Sequence, residues 1–280
     1  MKLSLFKKFI PPIAFDIWKR THLNENLYYF GRFDTWEEAL QESNRLGGDY
    51  EDQEIIERVE EATQKVRQGE ALYEQDGVCY YEENNNWELI ASLLYTKSML
   101  GRISVLDMGG ALGSTYFRYR SLLVDMEADW CVVEQKHFVD RGKEAIPEID
   151  FYYSVDEAVT LGNMPNTLLL SSVLMYLNEP YKMLQDMLKK RFEYVIIDES
   201  AFFTKENAKD QIMLQHVPAS IYEAVYPTHI FGLNKFRKFV NKCGYEIIWE
   251  WVYRGGQIQI KTNKGLKDTI DKGFLLKKVR

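Results

Sequence analysis

The chain has 280 residues, a formal net charge of −7, 46% hydrophobic and 14% aromatic residues, enough for one α/β domain with an appendage. The negative balance excludes a phosphate-neutralising nucleic-acid surface, and no apolar run approaches the ~20 residues of a membrane span. Cys79, Cys131 and Cys243 are scattered and form no Cys/His cluster, which excludes a structural zinc and suits a reducing cytoplasm.

Residues 1–12 carry too short an apolar run, and no small-residue cleavage site, for a secretory signal. Leu5, Phe6, Phe9 and Ile10 with Lys7 and Lys8 make one amphipathic turn, read as packing on the domain, with peripheral membrane contact as the alternative. From Asp34 to Leu100 the pattern predicts helices. A capping-box spacing (Asp34/Glu37 or Thr35/Glu38) opens the first, and Gly47-Gly48 stops it. Ile55, Val59, Ala62 and Val66 stripe a second that ends near Gly69, and Trp87, Ile90, Ala91 and Leu94 mark a third. Between these two lies a tyrosine-rich loop with Tyr73, Tyr80 and Tyr81. Residues 1–100 are expected to form a helical extension that closes a site on the domain at 101–280.

That domain opens on Ile-Ser-Val-Leu-Asp-Met-Gly-Gly-Ala-Leu-Gly at 103–113, a strand ending at Asp107, a turn with Gly109, Gly110 and Gly113, and a helix start at Ser114. Glycine there permits positive φ and lets a ligand lie on the backbone, and the helix offers unpaired N–H groups. A carboxylate at Asp107 would repel a pyrophosphate and suits an ammonium, so S-adenosylmethionine fits this turn better than a nicotinamide or flavin dinucleotide. Trp130 to Glu134 is a second strand ending in an acid, 21 residues past Gly113, near the offset at which a carboxylate takes ribose hydroxyls.

Phe151 to Val155 is a short third strand, followed by a helix starting at Asp156 and Glu157, with Ser154 to Asp156 placed to flank an adenine. Thr167 to Ser172 is a fourth strand whose end, Ser171 and Ser172, opens into the ligand crevice. Pro180 starts a helix, and Tyr194 to Asp198 is a fifth strand. Strands alternating with helices imply a parallel, right-handed sheet. After a long segment, 199–233, without clean periodicity, a helix from Asn234 ends at Gly244. Tyr245 to Tyr253 then makes a long strand, Arg254-Gly-Gly a turn, and Gln257 to Thr262 the returning strand. The basic tail from Lys261 to Arg280 reads as a solvated end.

Val105 to Gly113, Glu134, Ser154 to Asp156, Leu170 to Leu177 and the final hairpin together resemble a class I S-adenosylmethionine-dependent methyltransferase. More narrowly, Phe30 to Ala39 and Gly48-Asp-Tyr, taken with 107–113, resemble a bacterial family of methyltransferases of unassigned substrate encoded among genes for surface polysaccharide synthesis. The resemblance implies a Rossmann-like fold with a seven-stranded, mostly parallel sheet and a terminal antiparallel hairpin strand. It implies S-adenosyl-L-methionine as cofactor, held by Asp107, Gly109, Gly110, Gly113, Tyr116, Glu134, Ser154, Asp156, Ser171 and Ser172. The acceptor would be a small molecule, a nucleotide sugar or glycan precursor methylated on oxygen or nitrogen, with no metal. Ala111 stands where many members have glycine. A cofactor-retaining, non-catalytic partner subunit is the second reading, and a nicotinamide oxidoreductase the third.

Transfer to a hydroxyl needs a base. His229 and His216, among tyrosines in the long segment, are the candidates, followed by Asp198; for each histidine, simple packing is the competing reading. Tyr73, Tyr80 and Tyr81 are candidate walls of the acceptor pocket, with packing as the competing reading, and Tyr176 is placed nearer the cofactor.

Overall fold

The computed structural model describes residues 27–46, 52–161, 164–218, 224–253, 258–262 and 265–279. The expected amphipathic turn at 1–12, the Gly47-Gly48 stop and the Arg254-Gly-Gly turn lie outside the described residues. Among those described, no helix is long and apolar enough to cross a membrane.

Four parallel crossovers build the centre. Strand β4 (Ser104–Met108) leads through α4 (Ser114–Arg118) and α5 (Arg120–Asp125) to β5 (Asp129–Val133), then α6 (Lys136–Ala145), β6 (Asp150–Tyr152), α7 (Val155–Leu161), β7 (Thr167–Ser171), α8 (Pro180–Leu188) and β8 (Tyr194–Phe203). Helix α9 (Leu233–Lys242), β11 (Tyr245–Val252) and β13 (Gly265–Lys278) complete it. The order across the sheet is β6-β5-β4-β7-β8-β13, with β11 on the far side of β13. The pairs β4–β5, β4–β7, β5–β6 and β7–β8 are parallel, while β13 is antiparallel to both β8 and β11. Among the described residues, these are seven of eleven strands in one continuous sheet.

Alternation along each strand divides the apolar residues between two faces. Leu106, Leu168, Leu170 and Ile197 pack with Ala158, Leu184 and Phe236, whereas Val105, Leu169, Ile196 and Leu275 pack with Leu123 and Val139 on the other face. Leu89 and Leu93 of α3 (Trp87–Leu100) belong to this second cluster, so that helix is part of the core rather than of a lid.

Three expectations are corrected. The strand returning beside β11 is β13, not Gln257 to Thr262, and the supposed solvated tail is therefore a central strand with Phe274, Leu275 and Leu276 fully buried. The short β12 (Gln259–Thr262) instead pairs with β13 and with β1 (Tyr28–Phe33). Finally, the aperiodic segment holds an antiparallel pair, β9 (Gln211–Val217) and β10 (Ala224–Ile230), and β9 also pairs with β1. Strands β10, β9, β1 and β12 extend the sheet past β13.

In the front part, α1 (Trp36–Arg45) has the expected capping box, with Thr35 Oγ1 accepting from the Glu38 amide at 3.2 Å and Glu38 reaching back to Thr35 N. Helix α2 (Asp52–Arg67) follows. The tyrosine-rich stretch is a hairpin, β2 (Tyr73–Gln75) and β3 (Val78–Tyr80), in which Tyr73 and Tyr80 stack at 4.7 Å.

Candidate functional site

The chain direction reverses between β4, which leads outward to β5 and β6, and β7, which leads to β8. Ligands of open α/β sheets bind outside such a point. A cavity of about 1190 Å³ lies there, bounded by the strand ends, the β2–β3 hairpin and the added strands β1, β9 and β10.

At one end is the turn after β4. Asp107 is 1% exposed, and its Oδ2 has no hydrogen-bond partner. Burial drives its carboxyl up to about 8 against the opposing pull of the neighbouring Trp130 indole N–H, with the Glu134 charge adding to the rise. A Cβ on Gly110 would come within 2.6 Å of that oxygen, and one on Gly109 (φ +73°) would strike the Val173 side chain, so both glycines let β4 and β7 close around the carboxylate. Ala111 takes φ 49°, lines the cavity and packs against the cluster of Leu112 and Phe138. Glu134, at the end of β5, is half-buried and lines the cavity with Phe138 and Tyr153; burial raises its pKa.

Ser171 and Ser172 line the opposite wall. Ser172 (φ 53°) donates to Glu199 Oε2 at 3.0 Å, and Tyr253 is hydrogen-bonded to the same carboxylate. Glu199 is itself in the left-handed region at φ 48°. The cause is a bulge: Ile197 pairs with Phe274 and Ser200 with Lys272, so Asp198 and Glu199 together oppose Gly273. A bulge re-aims side chains next to sites, and this one leaves Glu199 lining the cavity while Asp198 is fully buried behind it. A Cβ on Gly273 would collide with the Trp251 ring that fills the space beneath. Asp76 (φ 53°), Ala111, Ser172 and Glu199, four non-glycine residues with positive φ, thus converge on one cavity. Such backbone, at roughly 1–3 kcal/mol each, persists where the surroundings over-determine it.

The expected site residues divide accordingly. Asp107, Gly109, Gly110, Glu134, Ser171 and Ser172 line the cavity together. Gly113 (φ +91°) does not; a Cβ there would strike Ile149, so its role is the tight turn before α4. Tyr116 packs edge-on to Phe117 and near Trp130 in the core, and Ser114 and Thr115 face the cavity instead. Ser154 caps α7 by accepting from the Glu157 amide at 3.1 Å, and Asp156 pairs with Lys190 on the surface; Tyr153 is the cavity residue of that loop.

None of the three expected bases is among the lining residues. Asp198 accepts from Asn86 Nδ2 at 2.6 Å and from Trp251 Nε1 at 3.0 Å, which makes it a buried structural carboxylate. His216 stacks on Tyr28 at 4.7 Å, while its strand neighbours Gln215 and Val217 face the cavity, as alternation along β9 requires. His229 stacks on Trp36 at 5.0 Å, its Nε2 lies 3.3 Å from the Asn178 carbonyl oxygen, and it lines a separate small cavity with Tyr181 and Asp210. Burial lowers its pKa.

Sequence reasoning missed Glu74, Asp76, Glu199, Tyr253 and Asp271, all of which line the main cavity. Glu74 accepts from Ser114 Oγ and from Gly77 N, and burial raises it to about 7. The doublet Asp198-Glu199 was a visible signal, but the bulge decides which of the two acids enters. The Phe274-Leu-Leu run marks β13 as a core strand, and that would have brought Asp271 inside.

No family model matches this sequence, and no curated protein matches it. Among solved structures, the chain is similar to the Burkholderia thailandensis 1,6-didemethyltoxoflavin-N1-methyltransferase, bound there to 1,6-didemethyltoxoflavin and S-adenosylhomocysteine. Identity is 10% over 80% of this chain and 88% of that one, at a TM-score of 0.40. It is also similar to an S-adenosylmethionine-dependent methyltransferase from Methanosarcina mazei (12% identity, 66% and 97% covered, TM-score 0.45) and to the CcbJ methyltransferase from Streptomyces caelestis (11%, 68% and 88%, 0.42). All three lie below a TM-score of 0.5 and carry no argument about activity.

Proposed function

We propose that the protein is an S-adenosylmethionine-dependent methyltransferase acting on a hydroxyl or amine of a small acceptor, a sugar or surface-glycan precursor. The observation that carries this reading is the buried, unpartnered Asp107 Oδ2 beside the Gly109-Gly110 turn, with a second carboxylate, Glu134, on the neighbouring strand. A carboxylate buried with no cation beside it is expensive, and the ammonium of an amino-acid tail is the counter-group that would relieve it.

Asp107 and the backbone at Gly109 and Gly110 would hold that tail, Glu134 the ribose hydroxyls, and Phe138 and Tyr153 the base. The cofactor would supply an electrophilic methyl group. On the acceptor side, Glu199 takes the role expected of the histidines: burial raises its pKa, and Ser172 and Tyr253 orient it. A positioned carboxylate made more basic by burial can accept the acceptor's proton. The β2–β3 hairpin and β9–β10 wall the acceptor space and exclude water.

Calorimetric titration with S-adenosylhomocysteine and with NAD tests the cofactor. Binding of the first and not the second is expected, and the reverse overturns the proposal. Tritiated methyl incorporation into a panel of sugars, nucleotide sugars and lipid-linked glycans then tests turnover. Glu199→Gln should lower it ~10²–10⁴-fold with S-adenosylhomocysteine affinity retained; an unimpaired variant moves the base elsewhere.

A further inference from the structure

We propose that the acceptor carries an ammonium group, held in the part of the cavity bounded by Asp76, Glu199 and Asp271. The assignment of that space to the acceptor rests on the methyltransferase reading above.

Among the described residues lining the cavity there are six carboxylates, Glu74, Asp76, Asp107, Glu134, Glu199 and Asp271, and one cation, Arg118. Asp107 and Glu134 belong to the nucleoside end, and Glu74 is engaged by Ser114 and Gly77. The other three come from separate elements: the β2–β3 turn, the bulge of β8, and β13. Glu199 is their centre, because its charge acts on both Asp76 and Asp271. The Arg118 charge reaches Glu199 but does not balance all three: its guanidinium lies over the Tyr73 ring at 3.9 Å and donates to the Asn84 carbonyl oxygen.

Asp271 supplies the independent observation. It is 6% exposed, lines the cavity, and its Oδ1 has no hydrogen-bond partner. A protein that evolved to take a neutral polyol there would gain by an amide at this position, because a neutral hydroxyl leaves the repulsion among the carboxylates unrelieved. An ammonium offers three donors and a compensating charge. Tyr226 and Tyr253 on the same walls provide aromatic surface of the kind that favours cations. A divalent metal is a poorer occupant, since no group of three or more His, Cys, Asp or Glu among the described residues is arranged to hold one. A diphosphate placed here would meet the same carboxylates with the wrong sign, which turns the acceptor away from nucleotide sugars and toward amine-bearing sugars or glycan precursors.

The test uses the full chain loaded with S-adenosylhomocysteine and two matched probe sets: cyclohexylamine, cyclohexanol and cyclohexanecarboxylate, and glucosamine with glucose. Saturation-transfer NMR and calorimetry read their binding. The expected result is at least a tenfold preference for each amine over its neutral partner and no carboxylate binding. Asp271→Asn and, separately, Asp76→Asn should each reduce that preference to threefold or less while leaving S-adenosylhomocysteine affinity within twofold. Circular dichroism verifies folding, and the exposed Asp76 position provides a variant that does not disturb the core. Equal binding of amine and alcohol, preference for the carboxylate, or no amine binding at 10 mM overturns the proposal. Failure to bind S-adenosylhomocysteine itself would instead overturn the methyltransferase reading, so the two failures are distinguishable.

Discussion

Replacing Asp107 by asparagine separates the two demands on that position. In the folded, ligand-free protein burial holds this carboxyl at about 8, against ~3.9 in an unfolded chain. Between these values the unfolded chain is ionised while the folded protein stays protonated. The stability contribution of this group is therefore full below pH ~4 and is lost as pH rises toward 8. Two pH units inside that window correspond to about 3 kcal/mol. Urea unfolding of wild type and Asp107→Asn at pH 5, 6 and 7 should show the variant gaining about 3 kcal/mol on wild type from pH 5 to pH 7, because the amide has no charge to bury. The same substitution should weaken S-adenosylhomocysteine binding at least tenfold, the charged hydrogen bond being worth ~1.5–3 kcal/mol. Parallel pH dependences, or unchanged nucleoside affinity, would refute the reasoning that this oxygen is kept unpartnered for an ammonium.

Gly109→Ala should lower stability by about 2–4 kcal/mol from its positive φ and its collision with Val173; in thermal melts the Val173→Ala double variant should recover the steric part only. His229→Ala should lose about 2 kcal/mol of stability, through its stacking on Trp36, with methyl-transfer rate unaltered. A hundredfold slower reaction would return the histidine to the chemistry. Asn86→Ala removes both the cap that accepts from the Leu89 amide and the hydrogen bond to buried Asp198. About 2–4 kcal/mol of stability should go with them, as read by denaturant titration.

The central sheet was legible because its strands are short apolar runs punctuated by turns, a pattern that local chemistry dictates. Asp107, Gly109, Gly110, Glu134, Ser171 and Ser172 were legible for the same reason: each sits at the end of a strand whose existence the periodicity announces. The outer strands were not. Tyr28–Phe33 and Gln211–Val217 become strands by pairing with each other, a partnership across some 180 residues of chain. Lys261 to Arg280 looks solvated when charges are counted, yet β8 and β11 enclose its second half on both edges.

The acceptor side lay furthest from view. Whether Asp198 or Glu199 faces the cavity turns on one extra residue in β8 opposite Gly273, and a shift of one residue exchanges the faces of a strand. His216 and His229 have the residue type the chemistry asked for and the wrong orientation. The sequence by itself determined the glycine turn after β4 and the alternation of the inner strands with helices, since both follow from interactions between near neighbours. Only the tertiary structure decided which acids and rings meet around the cavity, because that depends on register between strands distant in the chain.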